Sequence, residues 1–239
     1  MKKYIISMFL ALAAFASVAS AETVSLTGGF EGQYVFRGQK ISDNLVTATA
    51  VVSLPTQTEL SITGNWNGNN KDADIQDEID VTLSQEVSVN DVTSLTFGVI
   101  GYFYPQANRS LEETEKSFEG FVSLSYEAFL NPSISAGYDF NLKQVFVEGG
   151  IEQDVSLPFL PKNWKLVPGL VAGLVQARDL LPEASGQKVE DSYYYFTGKV
   201  DVVYEIKNVV AGVGYRYNYL VNSTVDTNSW VGSFVTVRF

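Results

Sequence analysis

In the stretch EIDVTLSQEV, Glu78, Asp80, Thr82, Ser84 and Glu86 alternate with Ile79, Val81 and Leu83. Carboxylates at every second position share one face of a β-strand. Gathered on such a face, they could move protons, ligate a cation or line an aqueous passage. Acid–base catalysis needs a pair set apart from its surroundings, yet acids recur along nearly every segment and no pair stands out. The neighbouring run KDADIQDE, Lys71 to Glu78, has a spacing that hints at Ca²⁺ ligation. It lacks the Gly and bidentate Glu of an EF-hand loop and reads as a solvated acidic loop. Together with Glu112, Glu113 and Glu115 it could bridge divalent cations to an anionic lipid surface. No dedicated metal or cofactor site is expected.

Composition narrows the partners. The chain carries 27 Asp and Glu against 16 Lys and Arg, a net charge of −11, which argues against nucleic acid and other polyanions. It has no Cys, which excludes disulfides and thiol chemistry. Lys2 and Lys3 precede an apolar run from Tyr4 to about Val18, and Ala19-Ser20-Ala21 forms a small-residue exit, so residues 1–21 read as a secretory signal peptide. Residues 22–239 then form a single domain with no linker in it.

What would position the acids is strand. Period-2 alternation recurs from Val24 to Phe239, and no long segment keeps a 3.6-residue period. Twelve strands are expected: Val24 to Arg37, Leu45 to Leu54, Glu59 to Asn67, Ile75 to Val87, Ser94 to Tyr104, Ser117 to Ala128, Ser133 to Leu142, Gln144 to Leu157, Trp164 to Ala177, Ser192 to Ile206, Val209 to Leu220 and Ser229 to Phe239. Connections alternate between long polar loops, such as PQANRSLEETEK and RDLLPEASGQKVED, and tight turns, such as PTQT and Lys207-Asn208. Only Asn141 to Lys143 breaks the trend. Long loops on one side and short turns on the other describe an antiparallel up-and-down transmembrane β-barrel of about twelve strands.

A soluble sandwich also alternates, so the contents of the polar face decide. A closed sheet of this size encloses more room than apolar side chains fill, which puts the polar face inward and the apolar face toward lipid. By strand parity the inner face carries Glu31, Glu78, Asp80, Glu86, Glu119, Glu127, Asp139, Glu148, Glu152, Asp154 and Asp201, against Arg37, Lys143, Lys199, Arg216 and Arg238. The outer face carries residues such as Phe97, Val99, Val122, Leu124, Tyr138 and Val147. Aromatics gather at the long-loop end (Tyr34, Phe36, Trp66, Tyr102 to Tyr104, Phe118, Tyr193 to Phe196, Tyr215, Tyr217, Tyr219, Trp230). Fewer lie at the other end (Phe129, Phe159, Trp164, Phe239), so the pattern reads as two interfacial girdles. Phe30, Tyr34 and Phe36 are expected to face lipid, and Arg37 to sit at the extracellular mouth among carboxylates. The amphipathic last segment ends on Phe239, in phase with Val231, Val235 and Val237, which resembles the signal read by the outer-membrane barrel-assembly machinery.

The stretch YVFRGQKISDN, Tyr34 to Asn44, resembles the N-terminal motif of the TorF-type porin family, small bacterial outer-membrane proteins in which Tyr-Val-Phe/Trp-Arg-Gly precedes a Ser/Thr-Asp/Asn pair. Glu78 to Val87 and Phe97 to Pro105 are similar to that family's acidic strand and its aromatic-plus-proline strand end. The resemblance implies an outer-membrane barrel more firmly than it implies a solute. Barrel phospholipases, lipid A deacylases and omptin proteases of comparable size use His, and this chain has none. ETVSL, Glu22 to Leu26, faintly resembles the box with which active transporters engage an energy coupler, but those need a plug domain and 22 strands, far more than this chain supplies.

The expectation is therefore a non-enzymatic outer-membrane channel for passive diffusion of small cationic or neutral solutes, with lipid and lipopolysaccharide around it. Its lumen would be lined by Glu31, Arg37, Glu78, Asp80, Glu119, Asp139, Glu148, Glu152, Asp201, Arg216 and Arg238. The alternative is a plugged structural or surface-interaction barrel, whose inner charges only neutralise one another. A barrel that opens sideways into lipid for hydrophobic ligands is a third possibility, with no feature of its own.

Overall fold

The structure is a computed structural model and describes residues 23–67, 77–105, 115–177, 192–221 and 225–239. The expected leader, most of KDADIQDE and most of the two longest loops lie outside the described residues. The strands are β1 (Thr23–Glu31), β2 (Tyr34–Phe36), β3 (Gln39–Ser42), β4 (Leu45–Ser53), β5 (Thr58–Asn67), β6 (Glu78–Asn90) and β7 (Thr93–Phe103). Then come β8 (Lys116–Tyr126), β9 (Ser133–Asp139), β10 (Gln144–Glu152), β11 (Trp164–Ala177), β12 (Ser192–Ile206), β13 (Val209–Val221) and β14 (Val225–Arg238).

All but β2 and β3 close into one ring of antiparallel neighbours, in the order β1-β14-β13-β12-β11-β10-β9-β8-β7-β6-β5-β4. That is the twelve-stranded up-and-down barrel the alternation calls for, and closure leaves no sheet edge unpaired. The seam joins the two ends of the chain: Gly28 faces Val235 across β1 and β14. Phe239 extends the seam by donating its N–H to the Val24 carbonyl at 2.8 Å.

The two faces of the sheet differ as lipid and water demand. Large apolar side chains stay exposed on the outside, among them Val99, Leu124, Ile134, Val213 and Val231. Tight turns at the short-loop end are set by residues in the left-handed region, as at Lys207 (φ 52°). The connection from Asp139 to Gln144 is short because Asp139 builds it. Its Oδ1 accepts the N–H groups of Asn141 (2.9 Å) and Leu142 (2.8 Å) and the hydroxyl of Ser117 (2.5 Å).

The first strand departs from expectation. Alternation runs unbroken from Val24 to Arg37, but β1 ends at Glu31, where its partner on β4 is Leu45. Gly32 makes one last bond to the Val231 carbonyl at 2.9 Å, and the chain then leaves the wall. Residues 34–42 return as a separate hairpin, β2 against β3, with Phe36 facing Gln39. Arg37 (φ 46°) and Gly38 (φ 80°) make its two-residue turn, the pairing of positive angles that matches a hairpin's twist.

Candidate functional site

The hairpin identifies the inside of the barrel, because it touches strands on every side of the ring. Tyr34 Oη donates to Glu78 Oε1 on β6 at 3.1 Å. The Phe36 ring meets the Tyr102 ring on β7 edge to face, centroids 6.2 Å apart. Asn218 Nδ2 on β13 donates to the Gly38 carbonyl at 2.7 Å, and Ser42 Oγ donates to Asn67 Oδ1 on β5 at 2.7 Å. Only an element within the bore can do all of this.

Its tip lies opposite its root. The hairpin leaves between β1 and β4, and the ring order places β9 and β10 directly across. There Arg37 Nη2 reaches both carboxylate oxygens of Glu119 on β8 at 2.7 Å, and its guanidinium stacks 3.6 Å from the Phe146 ring centroid on β10. The side chains of Arg37 and Glu119 are 8 % and 1 % exposed. Gly38 is required twice over: its φ is positive, and a Cβ would collide with the Tyr195 ring on β12. At the hairpin's wet end Lys40 Nζ sits 2.6 Å from Asp43 Oδ1 and holds that carboxyl below its usual range.

Tyr34 and Phe36 therefore do not face lipid, and Arg37 does not end a barrel strand at the mouth. The aromatic cluster at the long-loop end divides in the same way. Phe103, Phe118, Tyr194, Phe196, Tyr215 and Tyr217 are exposed outward and form the girdle. Tyr102, Tyr193 and Tyr195 are buried on the inner face around the hairpin, and Trp230 Nε1 donates inward to Glu31 Oε2 at 2.7 Å. Tyr104, just beyond β7, is raised above the ordinary tyrosine range by burial and then by Glu78 and Asp80.

The other expected lumen residues fall on register positions that share the inner face, and the structure sorts them into groups. Glu31, Asp201, Arg216, Lys199 and Glu152 form a chain of charges along the β1 to β10 wall. Arg216 Nη1 lies 2.6 Å from Asp201 Oδ1 and Nη2 lies 3.6 Å from Glu31 Oε1, while Lys199 pairs with Glu152 and lies 4.0 Å from Asp201. On the β6 side, Asn65 Nδ2 bridges Glu78 (3.1 Å) and Asp80 (2.8 Å). Glu148 accepts the Tyr195 hydroxyl. Arg238 lies at the short-loop mouth, 3.6 Å from Glu205, and Lys165 joins Glu205 (3.1 Å) to Asp154 (3.2 Å) at the same end. Glu119 and Asp139 lie on the same inner face, buried under the hairpin and the β9–β10 turn, where Glu119 holds Arg37 and Asp139 holds the turn.

How these side chains lie matters as much as what they pair with. A Cβ at Gly232 would fall inside the Glu31 carboxylate, and one at Gly214 would meet Asp201 Oδ1. The charges are folded flat over glycines of adjoining strands, and each pair along this wall lies within one strand or links strands one or two places apart in the ring. Phe234 lies over Gly212 in the same manner, and Phe146 over Gly137. Among the described residues, the hairpin is the one element that crosses the bore.

The seat of the hairpin, Tyr102, Gln144, Phe146, Tyr195 and Asn218, is what sequence reasoning missed. The legible trace was Gly32 followed by Arg37-Gly38, a strand break and a turn within one alternating run.

No family model matches the chain, and no curated protein matches it in sequence. Solved structures do resemble it. NanC porin aligns at 13% identity with a TM-score of 0.56, over 90% of this chain and 98% of that one. KdgM porin aligns at 13% identity and 0.53, over 91% and 99%. LpxR from Salmonella typhimurium aligns at 8% and 0.54, over 90% and 99%. At these identities, 8–13%, the likeness is one of fold. The chain has the fold of an outer-membrane barrel.

Proposed function

We propose that the protein is a porin-like channel of the bacterial outer membrane, through which small cationic or neutral solutes diffuse. The observation that carries this reading is the flat lie of the inner charges. Glu31, Asp201, Arg216, Lys199 and Glu152 satisfy one another along the wall, so neutralisation does not require them to span the bore. The excess of acids sets the charge preference. Glu78 and Asp80 share an amide, Asn65, and no Lys or Arg lies within ion-pair distance of either carboxylate among the described contacts. The absence of His removes the usual general base of barrel hydrolases, in keeping with a channel. Membership in the TorF-type porin family, recognition of Phe239 by the barrel-assembly machinery and contact of the outer loops with lipopolysaccharide belong to the same proposal. The plugged, non-transporting barrel is the second reading, favoured by the hairpin in the bore.

Proteoliposome swelling tests the proposal. The protein is compared with a variant in which residues 32–44 are replaced by an Asn-Gly turn joining Glu31 to Leu45, which already face each other in register. Swelling in a neutral pentose or lysine hydrochloride, faster than in sodium glutamate, is expected from the shortened barrel. No swelling from either protein in any solute would overturn the channel reading.

A further inference from the structure

We propose that residues 32–44 are a built-in plug: the hairpin closes the bore at the long-loop end, and the barrel conducts when the Arg37 tip leaves its seat on Glu119. This rests on the channel reading above.

Three features of the hairpin carry it. The first is reach, since the root lies between β1 and β4 and the tip touches β8 and β10 on the far side. The second is coverage: between root and tip it is bonded or packed to β5, β6, β7, β12 and β13, so little of the circumference is left without a contact. A two-stranded ribbon with its side chains is about 10 Å across, comparable to the interior of a barrel of this size.

The third feature is that the seat is made for release. Arg37 is held at φ 46°, a conformation unfavourable for a long side chain, and what holds it there is the Glu119 carboxylate, a long 3.5 Å hydrogen bond to Gln144 Oε1 and the Phe146 face. The remaining anchors are single hydrogen bonds from Tyr34, Asn218 and Ser42, the edge-to-face contact of Phe36 with Tyr102 and the packing of Gly38 on Tyr195. The barrel strands do not depend on the hairpin, because β1 and β4 pair with each other along their whole length without it. It can leave without unzipping the wall.

Planar-bilayer recording of the wild type, Arg37→Ala, Glu119→Gln and the shortened barrel tests the plug. The wild type should be closed most of the time, and the shortened barrel steadily open with several-fold larger mean current. Arg37→Ala and Glu119→Gln should raise the ratio of open to closed time by about a hundredfold or more, as expected from breaking a buried pair. If either substitution prevents folding, the shortened barrel decides, since its folding can be checked separately by heat-modifiable mobility. Equal open probability and conductance in the wild type and the shortened barrel would overturn the plug and leave the channel standing. A folded shortened barrel without conductance would overturn the channel reading, and the plug with it.

Discussion

The carboxylate of Glu31 occupies the space that a side chain at position 232 would need. Gly232 on β14 lets Glu31 fold flat against the wall, where Trp230 Nε1 and Arg216 hold it. Gly232→Val should swing Glu31 into the bore and cost about 1–3 kcal/mol from overpacking. Denaturation in detergent should register the loss, and the unit conductance of the shortened barrel should fall.

Arg216 serves two acids, Asp201 at 5 % side-chain exposure and Glu31 at 29 %. Among the described residues, Arg216→Ala leaves Asp201 with only Lys199 as a cationic neighbour, at 4.0 Å. Because the site is partly wet, the cost should be at the low end for a broken buried pair, about 3 kcal/mol. The same change removes a positive charge from the wall, so cation preference should rise, while Arg216→Lys should recover stability only in part.

Neighbouring positions on β8 test which face meets lipid. Leu124 points outward and is exposed, whereas Ser123 shares the inner face with Ser135. Leu124→Arg should destabilise the barrel by about 2–4 kcal/mol in bilayers if it lies near the midplane. Ser123→Arg should cost little and shift ion selectivity toward anions. Equal penalties at the two sites would contradict the sidedness.

Gly38 tests the hairpin without changing a residue of the wall. Gly38→Ala adds a Cβ against Tyr195 at a positive φ and should loosen the tip. Arg37 and Lys40 are the trypsin sites in the hairpin, and cleavage there should speed up by roughly tenfold as the seated fraction drops. The barrel itself should keep its mobility on unheated gels.

Sequence patterning carried the barrel, because lipid outside and water inside impose a strict period of two on every strand. Trp164–Ala177 and Ser192–Ile206 come out at the bounds that alternation alone assigns. The hairpin escaped for the same reason. A ribbon inside the bore alternates too, so periodicity continues across Gly32 and reports one long strand where there are two elements. The turn was also disguised, since an Arg at positive φ is not a usual turn residue and is held there by Glu119, more than eighty positions away in sequence. The aromatic cluster at the long-loop end had two physical causes, a lipid interface and a seat for the hairpin, and composition could not separate Tyr194 from Tyr195. The ion pairs of the bore needed register, which sets Lys199 opposite Arg216 and so brings Asp201 and Glu152 within reach of them.

The zero-current potential of the shortened barrel in a KCl gradient tests the central claim most directly, because it asks at once whether the bore conducts and which charge its wall favours. A potential of the sign given by K⁺ moving down its gradient is predicted, reduced when Glu78 and Asp80 are replaced by Gln and Asn. An anion-selective potential, or a folded barrel that passes no current, would contradict the account.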